Sequence, residues 1–559
     1  VAAKIDGNPF TPLTMYPHIP YETPVKDLGT VEGALCPKGQ SGIQSVYDPY
    51  RLVSVLKRKP GTKRGENEWE TIDFAQAVEE VVEGGDLFGE GPVPGLRESY
   101  ALSDADLAHE MEDAIGEIHD ESDPAAKQAL VDEFKVTFAE HLDKLIDPNH
   151  PDLGPRNNEF VFAWGRLKGG RKDFIKRFLK AYGTNNAHGH TTVCQGSLYF
   201  TGKAMSEQYV DGKWGGGSKF YWQGDVGNSE FTIFVGASPF EGNYGPPFRT
   251  PRLNDANLGG GKYVVVDPRF SKTAAHAWKW LPAKPGSEGA LAMAITAWAI
   301  DHDRINKGYL SLANEAAANA VNEPTWTPSS WLVKIDEDGT PGDFLRASEI
   351  GLAPIEQRPK SSDPESTYDF DYFVALVDGV PTPVDAYEQD PARAIKGDIL
   401  VDDLELTPVA PAAAAVPASS AAPEAEASAA PVAAAETAAP IRVKSALQVI
   451  SDSAHEQTLE GWAEICGLDP QDIADVAHEF TGHGRQAVAD IHRGVSQHTN
   501  GFYNVLSWYT LNALLGNFDH AGGLLKSSTF KSDGSKAGQP FKISTVDGKM
   551  APFGTSIIR

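Results

Sequence analysis

The stretch AYGTNNAHGHTTVCQGSLYFTGKAM, residues 181–205, puts a thiol among glycines and histidines, where a packed core has no use for one. Cys194 follows His188, His190, Thr191 and Thr192 and precedes Lys203. The segment reads as polar loop. A lone cysteine is ordinarily a small buried hydrophobe. Beside imidazoles and an ammonium its thiolate form is favoured. Two chemistries follow, a nucleophile or a soft ligand for a metal, and residue types alone leave both open. Cys36, in GALCPKGQSG, is also glycine-flanked. A thiol before proline is common in cluster-binding loops, yet one cysteine cannot hold a cluster. Cys466, in WAEICGLDP, ends an apolar helical stretch and reads as structural. These are the only 3 cysteines in 559 residues, so there is no disulfide framework and no Cys-x-x-Cys metal motif.

Three further segments carry binding chemistry: VGASP (235–239), DPRFSKT (267–273) and HRGVSQHTNG (492–501). Each follows a run that reads as a strand. Their Gly, Ser, Thr, Asn and Arg residues offer hydroxyls, amides and backbone N–H groups to phosphates or base edges. One such loop is ordinary turn chemistry. Three imply a large phosphorylated ligand. None contains G-x-G-x-x-G, which disfavours a plain NAD-dependent enzyme.

The elements that must position these loops are legible in the apolar pattern. FTIFV (231–235) and KYVVVD (262–267) are continuous apolar runs of strand length, and QAVADIH is a third strand. In SEGALAMAITAWAID, Leu291, Ala294, Ile295 and Trp298 share a helix face that Ser287 can cap. DPQDIADVAHEFTGH and FYNVLSWYTLNALL are further helices, the latter ended by GNFDHAGG. Buried strands alternating with helices predict an α/β protein with a parallel sheet covered on both faces. Between Trp69 and about Lys144 the pattern is helical and acidic. Residues 408–440, rich in Ala, Pro, Ser and Glu, read as a solvated insertion. The net charge of −28 argues against non-specific binding to nucleic acid or anionic membrane surfaces. An anionic small-molecule substrate remains compatible with a locally basic pocket.

Four ordered segments carry a resemblance: LCPKGQSGIQSVYDPYRLVSVLKR (35–58), GTNNAHGHTTVC (183–194), VVVDPRFSKTAAHAWKWLPAKPGSEGALAMAI (264–295) and GVSQHTNGFYNVLSWYTLNALLGNFDHAGG (494–523). They resemble the catalytic subunits of the molybdopterin oxidoreductases, the dimethyl-sulfoxide-reductase superfamily. Within it, SLYFTGKAM, EPTWTPSSWLVKID and GDFLRASEIGL look most like the tetrathionate, polysulfide and arsenate reductases. The resemblance implies a bis-molybdopterin guanine dinucleotide holding Mo or W, with Cys194 as the protein's sulfur ligand. It maps Gly236, Ser238, Asp267, Arg269 and Glu288 onto one half of that cofactor, and Gly494, Gln497, His498 and Asn500 onto the other. Glu288 replaces the aspartate usual at its position. Cys36 matches one [4Fe–4S] ligand and Lys38 the lysine between cluster and pterin. The other three cluster cysteines are expected before Val1, and a closing β-barrel beyond the last residues, so the chain is expected to be incomplete at both ends.

The resemblance implies three regions: 1–60, a small β-rich remnant of an iron–sulfur domain; 61–165 with 442–559, an α/β domain contacting one pterin; and 166–401, an α/β domain carrying Cys194 and contacting the other; composition sets apart a fourth, 402–441, as a disordered insertion. The expected activity is reduction of a sulfur oxyanion or polysulfide, tetrathionate first, with Arg166, His190 and Lys203 as candidate substrate contacts. Implied partners are a quinol-oxidising membrane anchor and an iron–sulfur electron-transfer subunit, with twin-arginine export and a periplasmic location. Alternative readings are an arsenate reductase, an oxidase of reduced sulfur, and a cofactor-free scaffold subunit.

Overall fold

The computed structural model describes residues 2–11, 14–15, 17–28, 33–35, 37–165, 167, 170–217, 222–241, 249–361, 363–408, 439–526 and 553–554. They divide into two compact units, Val1–Ile43 with Gln195–Ser528, and Gln44–Cys194 with Thr529–Arg559.

The first unit is built on a four-stranded parallel sheet. Its strands are β1 (Phe231–Val235), β2 (Lys262–Val266), β3 (Lys279–Leu281) and β4 (Ala487–Ile491), in the order β3-β2-β1-β4. All five residues of β1 and all five of β4 are buried, as strands covered on both faces must be. Alternate side chains go to opposite faces. Phe231, Ile233 and Val235 join the large core formed with helices α1 (Glu288–Asp301), α2 (Pro470–Gly482) and α3 (Gly501–Leu515). Phe234, Tyr263 and Val265 pack on the other side with Leu253 of the helix Arg249–Leu258. An antiparallel sheet in the same unit contains Leu332–Ile335, Pro341–Phe344, Leu404–Leu406 and Ile441–Ser445.

The second unit contains the acidic helices Ala105–Asp120 and Pro124–Thr137. Asp104 and Asp123 cap them by accepting from backbone N–H groups, which satisfies donors a helix start leaves open. Met111, Ile115, Phe134 and Phe138 form their shared core. A short parallel pair, Phe162–Trp164 with Ala187–Gly189, leads to the thiol segment.

The α/β character, the parallel sheet and its first strands match the sequence reading. Four expectations do not hold. Residues 442–526 do not group with 61–165, because β4 pairs with β1 and completes the same sheet. A run such as QAVADIH needs burial on both faces, but periodicity does not say which sheet supplies it. The ends of the expected 402–441 insertion are ordered, since Leu404–Leu406 pairs with Ile441–Ser445. Its residues 409–438 lie outside the described residues. Within 1–60 the only described strand is Val55–Arg58, beside one isolated Gly7–Gly33 bridge. Pro9, Pro20 and Pro24 lack the N–H groups that ladders need. Finally, Ser287 does not cap α1 with its side chain; its hydroxyl donates to the Lys284 carbonyl at 2.6 Å.

Candidate functional site

The carboxyl ends of β1 and β4 meet through two glycines. The Gly494 N–H donates to the Gly236 carbonyl at 3.1 Å, and the His492 N–H to the Val235 carbonyl at 3.1 Å. A Cβ on Gly236 would lie 2.6 Å from the Gly494 Cα, and one on Gly494 would lie 2.5 Å from the Gly236 Cα. Gly236 also has φ +59°. Only glycine permits both the approach and that dihedral. The loops that the resemblance assigned to opposite halves of a cofactor are thus neighbours at one edge of one sheet. Gly494, Gln497 and Asn500 are exposed there, and Ser238 and His498 half-buried.

Beneath these loops lies a buried ion pair. Asp490 of β4 accepts from Arg249 Nη2 at 2.6 Å and from the Gly224 N–H at 3.1 Å. His492 is buried beside it, and desolvation pushes its pKa down to about 4. The imidazole is therefore neutral across the physiological range.

A second convergence joins residues about two hundred positions apart. Asn500 Nδ2 donates to the Gly286 carbonyl at 2.9 Å, and the Gly289 N–H donates to Asn504 Oδ1 at 3.2 Å. Asn504 Nδ2 donates to Glu288 Oε2 at 3.3 Å, and His498 Nε2 lies 4.0 Å from Glu288 Oε1. Glu288 is 5 % exposed. Burial raises its pKa above the usual carboxylate range, with His498 opposing and Asp267 reinforcing the rise. Such a carboxylate at a loop mouth gains by accepting N–H donors from a ligand, since they replace lost water. Asp267 accepts from the Arg269 N–H at 2.8 Å, and the Arg269 guanidinium pairs with Glu241. Glu288, His498 and Asn500 are brought together; Asp267 and Arg269 form the adjacent turn.

The thiol segment differs from the loop expected. Thr191–Ala204 is helical, broken at Gln195 (φ −158°, ψ 25°). The Cys194 N–H closes the first turn on the His190 carbonyl at 2.9 Å, and the His190 N–H donates to the Trp164 carbonyl at 2.9 Å. Cys194 is half-buried and free. His190 Nδ1 is buried with no hydrogen-bond partner. Among the described residues no group of three or more His, Cys, Asp or Glu side chains is placed to hold a metal ion. A single thiolate therefore fits only a metal whose remaining ligands arrive with a cofactor, as dithiolenes would supply. The glycine edge and the buried Glu288 fit the phosphates and purine of such a cofactor.

The remaining candidates separate. Arg166 and Cys36 lie outside the described residues. Lys203 is 3.8 Å from Glu207, a half-exposed pair four residues apart in the helix. It belongs to the first unit and His190 to the second. Lys38 is exposed in the short helix Pro37–Gln40. Cys466 is fully buried, its thiol donating to the Ser287 carbonyl at 3.5 Å and pushed up to about 11 by burial. Sequence reasoning missed Asn504, Asp490 and Arg249. Asn500 and Asn504 are four apart, and that spacing on a helix face was the available signal.

No family model matches the chain. The selenate reductase of Mesobacillus selenatarsenatis is 36% identical over 568 residues of its matched subunit, covering 100% of this chain and 48% of that protein. The tetrathionate reductase of Salmonella typhimurium is 30% identical over 572 residues of its matched subunit, covering 100% and 46%. The arsenate respiratory reductase molybdopterin-containing subunit of Shewanella sp. is 37% identical over 138 residues, covering 25% and 15%. The chain spans about half the length of the curated relatives it matches end to end. Among solved structures, acetylene hydratase from Pelobacter acetylenicus covers 88% of this chain and 39% of its own at TM-score 0.41 and 14% identity, too distant to fix the fold.

Proposed function

We propose that this chain, which belongs with the catalytic subunits of the molybdopterin oxidoreductases, forms the metal-ligand and dinucleotide-binding part of an oxyanion reductase. The observation that carries the reading is the convergence of two distant motifs at the carboxyl edge of one parallel sheet, where open α/β sheets bind ligands. Gly236 and Gly494 leave room for phosphates against the backbone, whose N–H groups neutralise them. Glu288, held by Asn504, accepts from a purine edge, and Asn500 fixes the turn at Gly286. Cys194 donates one soft sulfur to the metal. The bound bis-pterin metal supplies the two-electron redox chemistry. His190, with its buried unpartnered nitrogen, orients or protonates an oxyanion beside the thiol. Arg166 and Lys203 are retained as candidates for charge neutralisation.

The substrate class is an oxyanion of a heavier chalcogen or of arsenic. Selenate and tetrathionate are the first two to test, because the two relatives matched end to end are named for them. Electrons would come through a [4Fe–4S] cluster, with Cys36 as one ligand and Lys38 on the route, from an iron–sulfur partner and a quinol-oxidising membrane protein. A periplasmic location is part of the same proposal. No helix among the described residues is long and apolar enough to cross a membrane. The test is metal analysis for Mo and W on the full-length enzyme, then reduction of selenate, tetrathionate, arsenate and thiosulfate with reduced viologen. Turnover of one oxyanion with bound Mo or W supports the proposal. Protein without either metal, inert to all four, favours the scaffold alternative.

A further inference from the structure

The first unit carries a basic cleft on a chain whose net charge is −28. The cleft encloses about 410 Å³ between the hairpin of Gln208–Val210 with Lys213–Gly215 and the antiparallel pair Leu332–Ile335 with Pro341–Phe344. Small-molecule sites span roughly 300–1,000 Å³. Asp211 and Gly212 close the hairpin with φ +54° and +81°, both positive as a tight two-residue turn requires. That turn sets the register, and the register makes Tyr209 and Trp214 cross-strand partners with ring centres 5.5 Å apart. Tyr209, Trp214 and Phe344 form aromatic walls. Lys213, Lys334 and Arg346 line the cleft against a single acid, Asp343.

The three cations are not equally occupied. Lys334 Nζ pairs with Glu349 at 2.7 Å. Lys213 is exposed at the rim. Arg346 is half-buried, its guanidinium carbon 3.8 Å from the Phe373 ring centre and 4.4 Å from that of Tyr209. Its Nη1 donates to the Asp371 carbonyl at 3.3 Å. Glu349 accepts from the Arg346 backbone N–H at 2.7 Å, not from its side chain. Among the described residues no carboxylate forms an ion pair with this guanidinium, although Asp371, Glu349 and Asp343 favour its charge from further off. Burial disfavours that charge more strongly, yet an arginine stays protonated. Stacking fixes the plane of the fork, and the donors left over suit an oxyanion bound by two parallel hydrogen bonds.

We propose that this cleft binds a small planar organic anion, a ring bearing a carboxylate or a phosphate ester, with Arg346 and Lys213 on the anionic group and Trp214 and Tyr209 on the ring. The unpaired fork asks for the anion. The volume and the walls ask for the ring, since an inorganic oxyanion alone would leave the aromatic faces wet. The cleft shares no residue with the loops at the carboxyl edge of the parallel sheet, and the proposal stands apart from the cofactor reading.

The experiment titrates the full-length enzyme calorimetrically with phenyl phosphate, benzoate, inorganic phosphate and benzyl alcohol. Phenyl phosphate or benzoate is expected to saturate one site, and which of them binds tighter identifies the anionic group. Inorganic phosphate binds there about 10-fold more weakly or less, and benzyl alcohol does not compete. Arg346→Met keeps an apolar side chain between the two rings and weakens the aromatic anion by about 10-fold or more. Lys213→Met, at an exposed position outside the core, weakens it roughly 2- to 5-fold. Trp214→Ala abolishes the preference for the ring while inorganic phosphate binds as before. No binding of either aromatic anion overturns the proposal, as does binding that Arg346→Met and Lys213→Met leave unchanged. Equal affinity for inorganic phosphate and phenyl phosphate overturns it too, because the walls would then take no part. If Arg346→Met lowers the urea midpoint, Lys213→Met and Trp214→Ala decide the outcome by the same criteria.

Discussion

The glycine edge and the thiol turn are built on opposite principles. At the edge, Gly236 and Gly494 are locked backbone to backbone, and Asp490, Arg249 and His492 are buried immediately beneath. At the turn, Cys194 is half-buried, closes one helical turn, and precedes a break. The edge has a shape that no side chain can alter without collision. The turn has a direction set by a few hydrogen bonds. On the proposed reading, the rigid region would hold the dinucleotides and the turn would supply the metal's one protein ligand.

Breaking the comparison starts with Cys194→Ala. Turnover is expected to vanish while pterin content persists, because on the proposed reading the edge would hold the dinucleotides without the thiol. Full activity in this variant removes Cys194 from the metal's coordination. Asp490→Ala strikes the other region. It leaves Arg249 buried without its carboxylate, and urea unfolding should show a loss of about 3–5 kcal/mol. Glu241→Gln, at the largely exposed Arg269 pair, should cost no more than about 1 kcal/mol. Equal losses at both sites would deny that the base of the edge is the more constrained. Gly494→Ala forces a Cβ into Gly236, with an expected destabilisation of about 1–3 kcal/mol. Cofactor loading should fall with it; normal loading and stability would show that the edge yields.

The smallest effects sharpen the electrostatics. His492 is depressed by burial, so its contribution to stability is complete above its unfolded value near 6.5 and is lost as pH falls toward about 4. Glu288 is raised by burial, so its contribution is complete below its unfolded value of 4.5 and is lost as pH rises through its folded value. In cofactor-free protein, the difference in unfolding midpoint between wild type and His492→Gln should therefore grow with pH over the acidic window. That between wild type and Glu288→Gln should shrink with it. Parallel trends would contradict the assignment of the two burials.

Much of this architecture is legible in the sequence. FTIFV and KYVVVD match β1 and β2 almost to the residue, because a doubly buried strand is apolar at nearly every position, Thr232 and the exposed Lys262 being the exceptions here. The helix Glu288–Asp301 was readable too, although Leu291, Ala292, Ile295, Thr296 and Ala299 are all buried, so it is covered on more than the single expected face. The thiol segment was misread as loop. Its glycines and β-branched threonines weaken helix propensity, and the hydrogen bond of the His190 N–H to the Trp164 carbonyl, which anchors the start of the turn, overrides that. Asn504 went unnoticed because its spacing from Asn500 marks a shared helix face but not Glu288, the partner 216 residues away.

Local pattern by itself determined the first strands of the sheet and its main helices, the polar loops at the strand ends, and that a lone thiol stands in a polar segment. These properties depend on neighbours within a few residues, where the chain's own periodicity acts. Only the tertiary structure decided that β4 completes the sheet of β1, that Gly494 touches Gly236, and that Asn504 reaches Glu288. Those pairings span about two hundred residues or more, and they are selected by burial of both sheet faces and by the need of every buried polar group for a partner.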